Sequence, residues 1–354
     1  EFNLNADFQT QLDTSLFFSR PINLAFGLES RLERYTIAEG EPASYEIGPG
    51  AADGLTSGSN GFPGYTLDQA KTYDQSNWAA YVDAETRPDE NVQLGVALRL
   101  EEFDTFGSTL NGKLSYRKDL LEGFALRTTV STGFKAPTPA QLFSERTSQG
   151  VAPDTLDVFT NGRFSPIGPV GEILSGRGGV DISALKPETS VNLSAGLVFR
   201  PMDRMMASLD IYQTDVRDRI FTSEFYTLEP NERARLAALG VPGGESITEV
   251  GFFQNSFDTR TSGVDLVMDY DAQLAAGDLT LGLSFNYNNT YVLNSSFVQN
   301  PSRVDRFERL YPRFSTHASA EFRRGTWSFD ARLKWIGPWV DFTDQNADLI
   351  QEFG

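Results

Sequence analysis

Apolar and polar residues alternate along much of the chain, which is the spacing of β-strands with one apolar face. The clearest stretch runs from Leu279 to Tyr287, where leucine, phenylalanine or tyrosine stands at every second position and small polar residues stand between. About twelve segments of this kind are present. The pattern therefore predicts strands at 1–14, 20–38, 76–87, 91–103, 108–118, 123–134, 188–200, 204–223, 254–274, 278–293, 310–323 and 326–342.

The connections between these segments alternate between very short and very long. The short ones fall at 88–90, 120–123, 201–203, 275–277 and 323–325, and the long ones at 39–75, 135–187, 225–254 and 294–309. A meander with tight turns at one end and long loops at the other is typical of an outer-membrane β-barrel. The pattern thus predicts short periplasmic turns and long extracellular loops. Within the loop 225–254, one helix should begin at Pro230 and end at Gly240.

A soluble β-sandwich also alternates, so two further features of the strands matter. The predicted strands exceed the roughly 5–6 residues common in soluble proteins and reach the roughly 9–11 residues needed to cross a bilayer at a tilt. Their apolar faces are nearly free of charge, where a midplane Arg or Lys would cost about 2–4 kcal/mol. We therefore predict an all-β, antiparallel, up-and-down transmembrane barrel in the bacterial outer membrane, in contact with outer-membrane lipid and lipopolysaccharide.

The net charge of the chain limits the classes of partner that it is expected to bind. Lys and Arg number 30 against 48 Asp and Glu, a formal net charge of −18. Nucleic acid is not expected as a partner, because phosphate binding requires a clustered basic surface. The sequence also lacks a run of about 18 apolar residues, so no transmembrane helix is expected.

Catalytic and metal chemistry find little support in the residue types. The chain has no cysteine and one histidine, His317, which the alternation places on the polar face. No catalytic residue, cofactor or metal site is therefore predicted. Asp265 and Asp269 are expected to line a polar interior. Asp344, Asn346 and Asp348 resemble the first positions of a calcium loop, but Leu349 stands where glycine is needed for the sharp turn.

Four groups of residues then resemble, in order, motifs of the TonB-dependent outer-membrane receptor barrel. They are Gly-Phe-Lys-Ala-Pro at 133–137, Leu-Lys-Pro-Glu at 185–188, Leu-Asp-Ile-Tyr at 209–212 with Asp-Arg-Ile at 218–220, and Asn255 with Thr-Ser-Gly-Val-Asp at 261–265. The resemblance implies a barrel of about 22 strands with a plugged lumen. On that expectation residues 1–354 form a partial barrel domain of a longer protein, without its plug domain or its last strands.

The resemblance implies a function in active transport. The expected role is uptake of a scarce nutrient, most often a ferric siderophore, energised by the TonB complex through the plug. Because siderophore complexes are frequently anionic and aromatic, loop arginines and tyrosines would pair with their charge and stack on their rings. The residues predicted to contact such a small-molecule ligand are Arg146, Arg163, Arg177, Tyr45, Tyr65 and Tyr226.

Three other functions fit the same pattern. A passive channel or porin shares the strand and loop rhythm but conducts ions without a plug. A surface adhesin or phage receptor would use the long loops to bind a protein. An outer-membrane hydrolase would depend on His317, the only side chain around which a histidine-based triad could form.

Overall fold

A computed structural model describes residues 1–13, 20–46, 48–49, 63–151, 158–175, 177, 184–241, 244–295, 301–342 and 350–353. The strands are β1 (Phe2–Leu12), β2 (Ile22–Thr36), β3 (Thr72–Asp89), β4 (Val92–Phe103), β5 (Gly107–Leu121), β6 (Phe124–Lys135), β7 (Arg146–Val151), β8 (Val158–Phe164), β9 (Glu188–Met202), β10 (Met205–Thr222), β11 (Tyr226–Thr227), β12 (Ile247–Leu274), β13 (Gly277–Ser295), β14 (Phe314–Arg324), β15 (Trp327–Ile336), β16 (Trp339–Phe342) and β17 (Ile350–Phe353). The helices are α1 (Pro139–Phe143), α2 (Pro169–Leu174), α3 (Pro230–Ala238) and α4 (Pro301–Arg309). None of the helices in these ranges is long and apolar enough to span a membrane.

Twelve strands hydrogen-bond to their neighbours in one antiparallel meander. Their order is β1-β2-β3-β4-β5-β6-β9-β10-β12-β13-β14-β15, with β1 and β15 as the two edges in the described part of the chain. All the long connections lie at one end of this sheet, and every connection at the other end is short except residues 13–21; one three-residue turn, between β4 and β5, lies at the long-loop end. The predicted up-and-down barrel topology is confirmed.

The two faces of the sheet differ in chemistry, as the alternation predicts. On the hydrophobic face large side chains stand exposed, for example Leu4 and Leu28, each 61% accessible, and Phe8 stacks on Phe26 across β1 and β2. A membrane barrel turns such a face toward lipid. The polar face carries hydrogen-bonded charges, including Arg99, which donates to Glu29 at 2.7 Å.

Charged residues on the hydrophobic face lie near the ends of the strands. At the long-loop end, Arg34 donates two hydrogen bonds to Asp74, at 2.7 and 2.9 Å. At the same end of β10 and β12, Arg260 holds Asp215 with two bonds of 2.7 Å. These two ion pairs mark the edge of the apolar band on the side of the long loops.

The long connections fold into a packed layer above the sheet. We call the unit formed by β7, β8, β11, α2, α3 and residues 247–253 of β12 the cap. Within it β8 runs parallel to β12, with Arg163 opposite Gly251. Its buried core consists of Phe164, Val170, Ile173, Leu174, Leu228, Leu236, Ile247, Val250 and Phe252.

Several predicted boundaries are wrong, for identifiable reasons. The strand predicted at 326–342 stops at Ile336 because Gly337 and Pro338 interrupt the ladder, and 339–342 pairs with β17 instead. The strand predicted from 254 begins at Ile247, since its first residues pair within the cap rather than with β10. The strand predicted from 310 begins at Phe314, after α4.

The helix predicted in the loop 225–254 is confirmed. It is α3, which begins at Pro230 and is capped by reciprocal hydrogen bonds between Glu229 and Glu232. Gly240 follows with a φ of 80°, a left-handed conformation that glycine adopts without strain. Proline at the start and glycine just past the end therefore gave the correct bounds.

Candidate functional site

Aromatic side chains gather at the long-loop end of the polar face. Tyr35 of β2 and Tyr73 of β3 are register partners, and the ring of Tyr73 stacks on Phe143 with centroids 4.8 Å apart and planes 5° from parallel. Tyr65 lies near enough to Tyr35 to influence its ionisation. We call Tyr35, Tyr65, Tyr73 and Phe143 the aromatic cluster. Burial raises the pKa of Tyr35 and of Tyr73, so both phenols stay neutral and can donate hydrogen bonds.

Phe143 is held in this cluster by the short helix α1. Thr138 caps the helix: its hydroxyl accepts from the Gln141 N–H at 3.2 Å, and the Gln141 side chain accepts from the Thr138 N–H at 3.0 Å. The side chain of Gln75 in β3 donates to the carbonyl of Pro137 at 3.2 Å. Because Gln75 holds the start of the helix and Tyr73 stacks on its last residue, the position of Phe143 is fixed.

A carboxyl group and a cation lie beside the aromatic cluster. Burial raises the pKa of Glu145, and the charge of Lys71 opposes part of that effect. The same carboxyl group raises the pKa of Tyr73. Glu145 is therefore easier to protonate than an ordinary glutamate, and in its neutral form it does not repel an anion bound nearby.

Two arginines stand side by side directly after this segment. Arg146 in β7 is the register partner of Arg163 in β8. Arg163 is partly buried with its guanidinium 5.0 Å from the ring centroid of Phe253, and among the described residues it forms no ion pair. Burial lowers the pKa of Arg163, and the charge of Arg146 lowers it further. Two adjacent cations, one of them desolvated, favour an anion at this position.

The arginine pair and the aromatic cluster lie next to each other, because Phe143 and Phe253 pack against the same buried cluster around Leu142, and the Arg163 guanidinium lies over Phe253. Arg146 follows Phe143 by three positions, so their Cα atoms are at most about 11 Å apart. We call the aromatic cluster, Glu145 and the arginine pair together the mouth site. Its chemistry suits a ligand with both negative charge and flat, ring-shaped surface.

Of the six predicted ligand-contacting residues, three lie in the mouth site: Arg146, Arg163 and Tyr65. Tyr45 is in the adjoining loop, where Gly64 N–H donates to the Ser44 carbonyl at 2.8 Å and Gly40 N–H donates to the Tyr65 carbonyl at 2.9 Å. Burial raises the pKa of Tyr45, with smaller effects from Glu39 and Glu46.

Arg177 and Tyr226 make their contacts inside the cap. The guanidinium of Arg177 pairs with Glu232 of α3, with Nε 2.8 Å from Oε1, and donates to the Thr227 carbonyl at 2.9 Å. The ring of Tyr226 stacks on the buried Phe252 with centroids 5.7 Å apart. Both side chains hold the cap together, and a contact with ligand stays a prediction.

Sequence reasoning missed Tyr35, Tyr73, Phe143 and Glu145. The sequence pattern predicts Tyr73 in a loop, because regular alternation begins only at residue 76, whereas β3 begins at Thr72. A signal for α1 was present, since Thr138, Pro139 and Gln141 form a capping sequence. Nothing local in the sequence shows that α1 packs over β2 and β3.

Side chains considered for other chemistry lie on the polar face. His317 stands opposite Ser284 and Lys334, as the alternation predicts. Asp265 accepts a hydrogen bond from Asn286 at 2.5 Å. In the part of the chain that the structure describes, no group of three or more His, Cys, Asp or Glu side chains could hold a metal ion. Asp344, Asn346 and Asp348 lie outside it.

Comparisons with known proteins agree with this architecture. A family model described as TonB dependent receptor-like, beta-barrel, matches residues 1–350. No curated protein matches the sequence.

Solved structures with the same fold include three bacterial receptors and transporters. The siderophore receptor PirA from Acinetobacter baumannii has 16% identity and a TM-score of 0.61, over 96% of this chain and 42% of its own. The ferric enterobactin receptor PfeA from Pseudomonas aeruginosa has 17% identity and a TM-score of 0.63, over 99% and 44%. The FrpB iron transporter from Neisseria meningitidis has 14% identity and a TM-score of 0.58, over 96% and 44%. The chain spans less than half the length of each of these structures.

Proposed function

The chain belongs to the TonB-dependent receptor-like β-barrel family, and from that premise we propose that it forms part of an outer-membrane receptor for ferric siderophores. The hydrophobic face of the sheet contacts outer-membrane lipid. The mouth site and the cap face the outside of the cell, and the short turns face the periplasm. The proposal gives the chain no catalytic role.

The observation that carries the choice of ligand is the arginine pair. Arg163 is partly desolvated, lies against Phe253 and has no acidic partner among the described residues. Removing a cation from water without a counter-charge is unfavourable, and an anionic ligand would supply that charge. Bonds between guanidinium and carboxylate or phenolate oxygens are among the stronger hydrogen bonds in proteins.

The aromatic cluster adds a second requirement. Tyr73 and Phe143 present parallel stacked rings, and the neutral hydroxyl of Tyr35 can donate a hydrogen bond to a ligand oxygen. An anionic complex with aromatic groups, such as an iron–catecholate complex, meets both requirements. Structural neighbours named as siderophore and ferric enterobactin receptors support the same ligand class.

Transport requires partners beyond the described residues. The polar face of the sheet lines the lumen, and its charges, such as Arg99 with Glu29 and Glu101, suit a hydrated plug domain. We propose that the TonB complex acts on that plug, as the family implies, while the barrel wall stays fixed by the hydrogen bonds between its neighbouring strands.

The test is a binding assay on the full-length receptor purified from outer membranes. Titration with an anionic ferric catecholate should show saturable binding that weakens with added salt, because the contact is electrostatic. A ferric hydroxamate of low charge is the comparison ligand and should bind less tightly. Equal affinity for the two complexes would overturn the role of the arginine pair. Absence of binding together with ion conductance would instead support a passive channel.

A protein-binding receptor is the second candidate, because the cap has its own buried core rather than irregular loops. A rigid surface of this kind suits recognition of another protein. On this reading Arg163→Gln leaves the attachment of phage or protein to intact cells unchanged, and the parent protein binds no ferric siderophore. A siderophore receptor should instead bind the ferric complex and lose affinity for it in the same variant.

A further inference from the structure

The hydrophobic face contains a groove at its long-loop half, outside the mouth site. A concavity of about 720 Å³ lies across β5, β6, β9, β10, β12 and β13. Its floor is made of small side chains: Thr128 and Ala195 are register partners, and Ser262 lies further along the floor. Larger side chains form its walls, among them Leu114 and Tyr287. The groove is therefore a depression whose floor is small and whose rim is formed by larger apolar side chains.

A second concavity of about 390 Å³ adjoins it on the side of the long loops. Thr132 and Val191, which are register partners, lie on the boundary, and Asp215 and Arg217 line the second concavity. Asp215 is already held by two hydrogen bonds from Arg260. Arg217 is exposed and forms no ion pair with the residues that the structure describes. The lining of the upper concavity thus holds one positive and one negative charge. Because Arg260 already pairs with Asp215, Arg217 is the charge that remains for a ligand.

The position of the groove relative to the membrane follows from β9. Phe199 lies beside the short turn and pairs with Phe124, while Val191 is near the opposite end of the same strand. A strand crosses the hydrocarbon layer in roughly 9–11 residues, so Val191 lies close to the outer boundary. The lower concavity therefore faces the acyl chains of the outer leaflet, and Arg217 stands at the level of the headgroups.

We propose that this groove binds the phosphorylated lipid A portion of lipopolysaccharide. One acyl chain lies in the lower concavity over Ala195, and a phosphate accepts hydrogen bonds from Arg217. The depth of the floor suits an acyl chain because small side chains leave room that lipid must fill. The charge at the upper end suits a phosphate, and Gln213 bridges the two levels by donating to Asp215 at 3.3 Å. The proposal rests on the outer-membrane placement proposed above.

Two variants test the two halves of the groove in the full-length receptor. Arg217→Gln removes the charge, and Ala195→Phe fills the lower concavity. Each has a matched control on the same face: Arg324→Gln at the short-turn end, and Ala320→Phe in β14 outside the groove. Lipid A bound per barrel is counted by native mass spectrometry, and delipidated protein is titrated with lipid A and, in parallel, with phosphatidylglycerol.

The expected result is that Arg217→Gln weakens lipid A binding on the order of tenfold, as loss of a charged hydrogen bond implies. Ala195→Phe should also reduce binding, and both controls should bind like the parent protein. Unchanged lipid A binding in both groove variants would overturn the proposal, as would equal affinity for phosphatidylglycerol. Siderophore binding is measured on the same samples. If both groove variants bind lipid A like the parent protein and siderophore binding also persists, only the proposed lipid site has failed.

Discussion

Arg127 of β6 and Asp210 of β10 meet across the strand that separates them. The guanidinium Nε lies 2.9 Å from one carboxylate oxygen and Nη2 lies 2.6 Å from the other. Gly196 of β9 is the register partner of both residues. The ion pair is possible because glycine leaves the space above β9 empty.

We expect Gly196→Ala to destabilise the barrel wall. An added Cβ would stand 1.9 Å from the Asp210 carboxylate, so the ion pair would have to move apart. Overpacking of this kind costs about 1–3 kcal/mol, measured as a lower unfolding midpoint in detergent. Gly112→Ala is the control, because its Cβ would meet only the flexible end of Leu98 at 3.2 Å and the Ala97 carbonyl at 3.6 Å. Equal midpoints for the two variants would show that the arginine does not need the open space.

The cap should loosen in acid because of Glu232. A hydrogen bond from Arg177 is the main cause that lowers the pKa of Glu232 below the ordinary 4.5. A depressed carboxyl pKa contributes stability that is present above the unfolded value and is lost as the pH falls through the folded value. Protease cleavage within the cap should therefore accelerate once the pH drops below about 4.5.

Two variants separate this effect from general acid unfolding. Glu232→Gln should make the cap more sensitive to protease at neutral pH and flatten its dependence on acid. Glu172→Gln should leave both unchanged, because the pair of Glu172 with Arg235 is largely exposed and exposed pairs contribute little. A parent protein whose cap is cleaved at the same rate at every pH contradicts the role of Glu232.

Arg163→Gln should weaken binding of an anionic ferric catecholate by a factor of roughly 10 to 100, the range expected for a lost charged hydrogen bond. Fold and thermal midpoint should change little, since Arg163 forms no ion pair with described residues. Arg235→Gln is the matched control, an arginine in the same cap that holds a surface glutamate. Fluorescence titration measures both. Comparable losses in the two variants would indicate a general charge effect and not a specific contact.

Glu145→Gln should stabilise the protein at neutral pH. Burial raises the pKa of Glu145, so ionising it is easier in the unfolded chain than in the folded one. The folded state therefore loses stability as the pH rises above the unfolded pKa, and the amide avoids that loss. The thermal midpoint of the variant should exceed that of the parent at pH 7 and approach it in acid. A parent midpoint that is higher at pH 7 would mean that the carboxylate has a partner when ligand is absent.

Elements set by neighbouring residues were predictable from the sequence. The alternation from Leu279 to Tyr287 lies inside β13 (Gly277–Ser295), and the proline and glycine that bound α3 stand where they were expected. The end of β15 was missed although Gly337 and Pro338 were visible. Apolar residues continue to alternate past Ile336, but Pro338 cannot donate to a ladder and ends the strand.

The site depends on contacts between distant segments, and these were not predictable. Arg177 was expected to meet ligand, but its carboxylate partner Glu232 lies 55 positions away. The parallel pairing of β8 with β12 joins segments more than 80 residues apart, and no pattern within either segment indicates its partner. The chemistry of the expected ligand pointed to arginine and tyrosine as the residue types that could bind it. Only the fold shows which arginines and tyrosines already have partners within the protein.

Strand β12 is continuous over 28 residues, from Ile247 in the cap to Leu274 beside a short turn. At roughly 3.3 Å per residue it runs about 90 Å, and even at a tilt of roughly 45° it is about twice as tall as a hydrocarbon layer of about 30 Å. In the proposed orientation the excess stands outside the cell. Antibodies and phages that approach the surface would therefore reach the cap before they reach the lipid, which makes it the part of the barrel most open to immune selection.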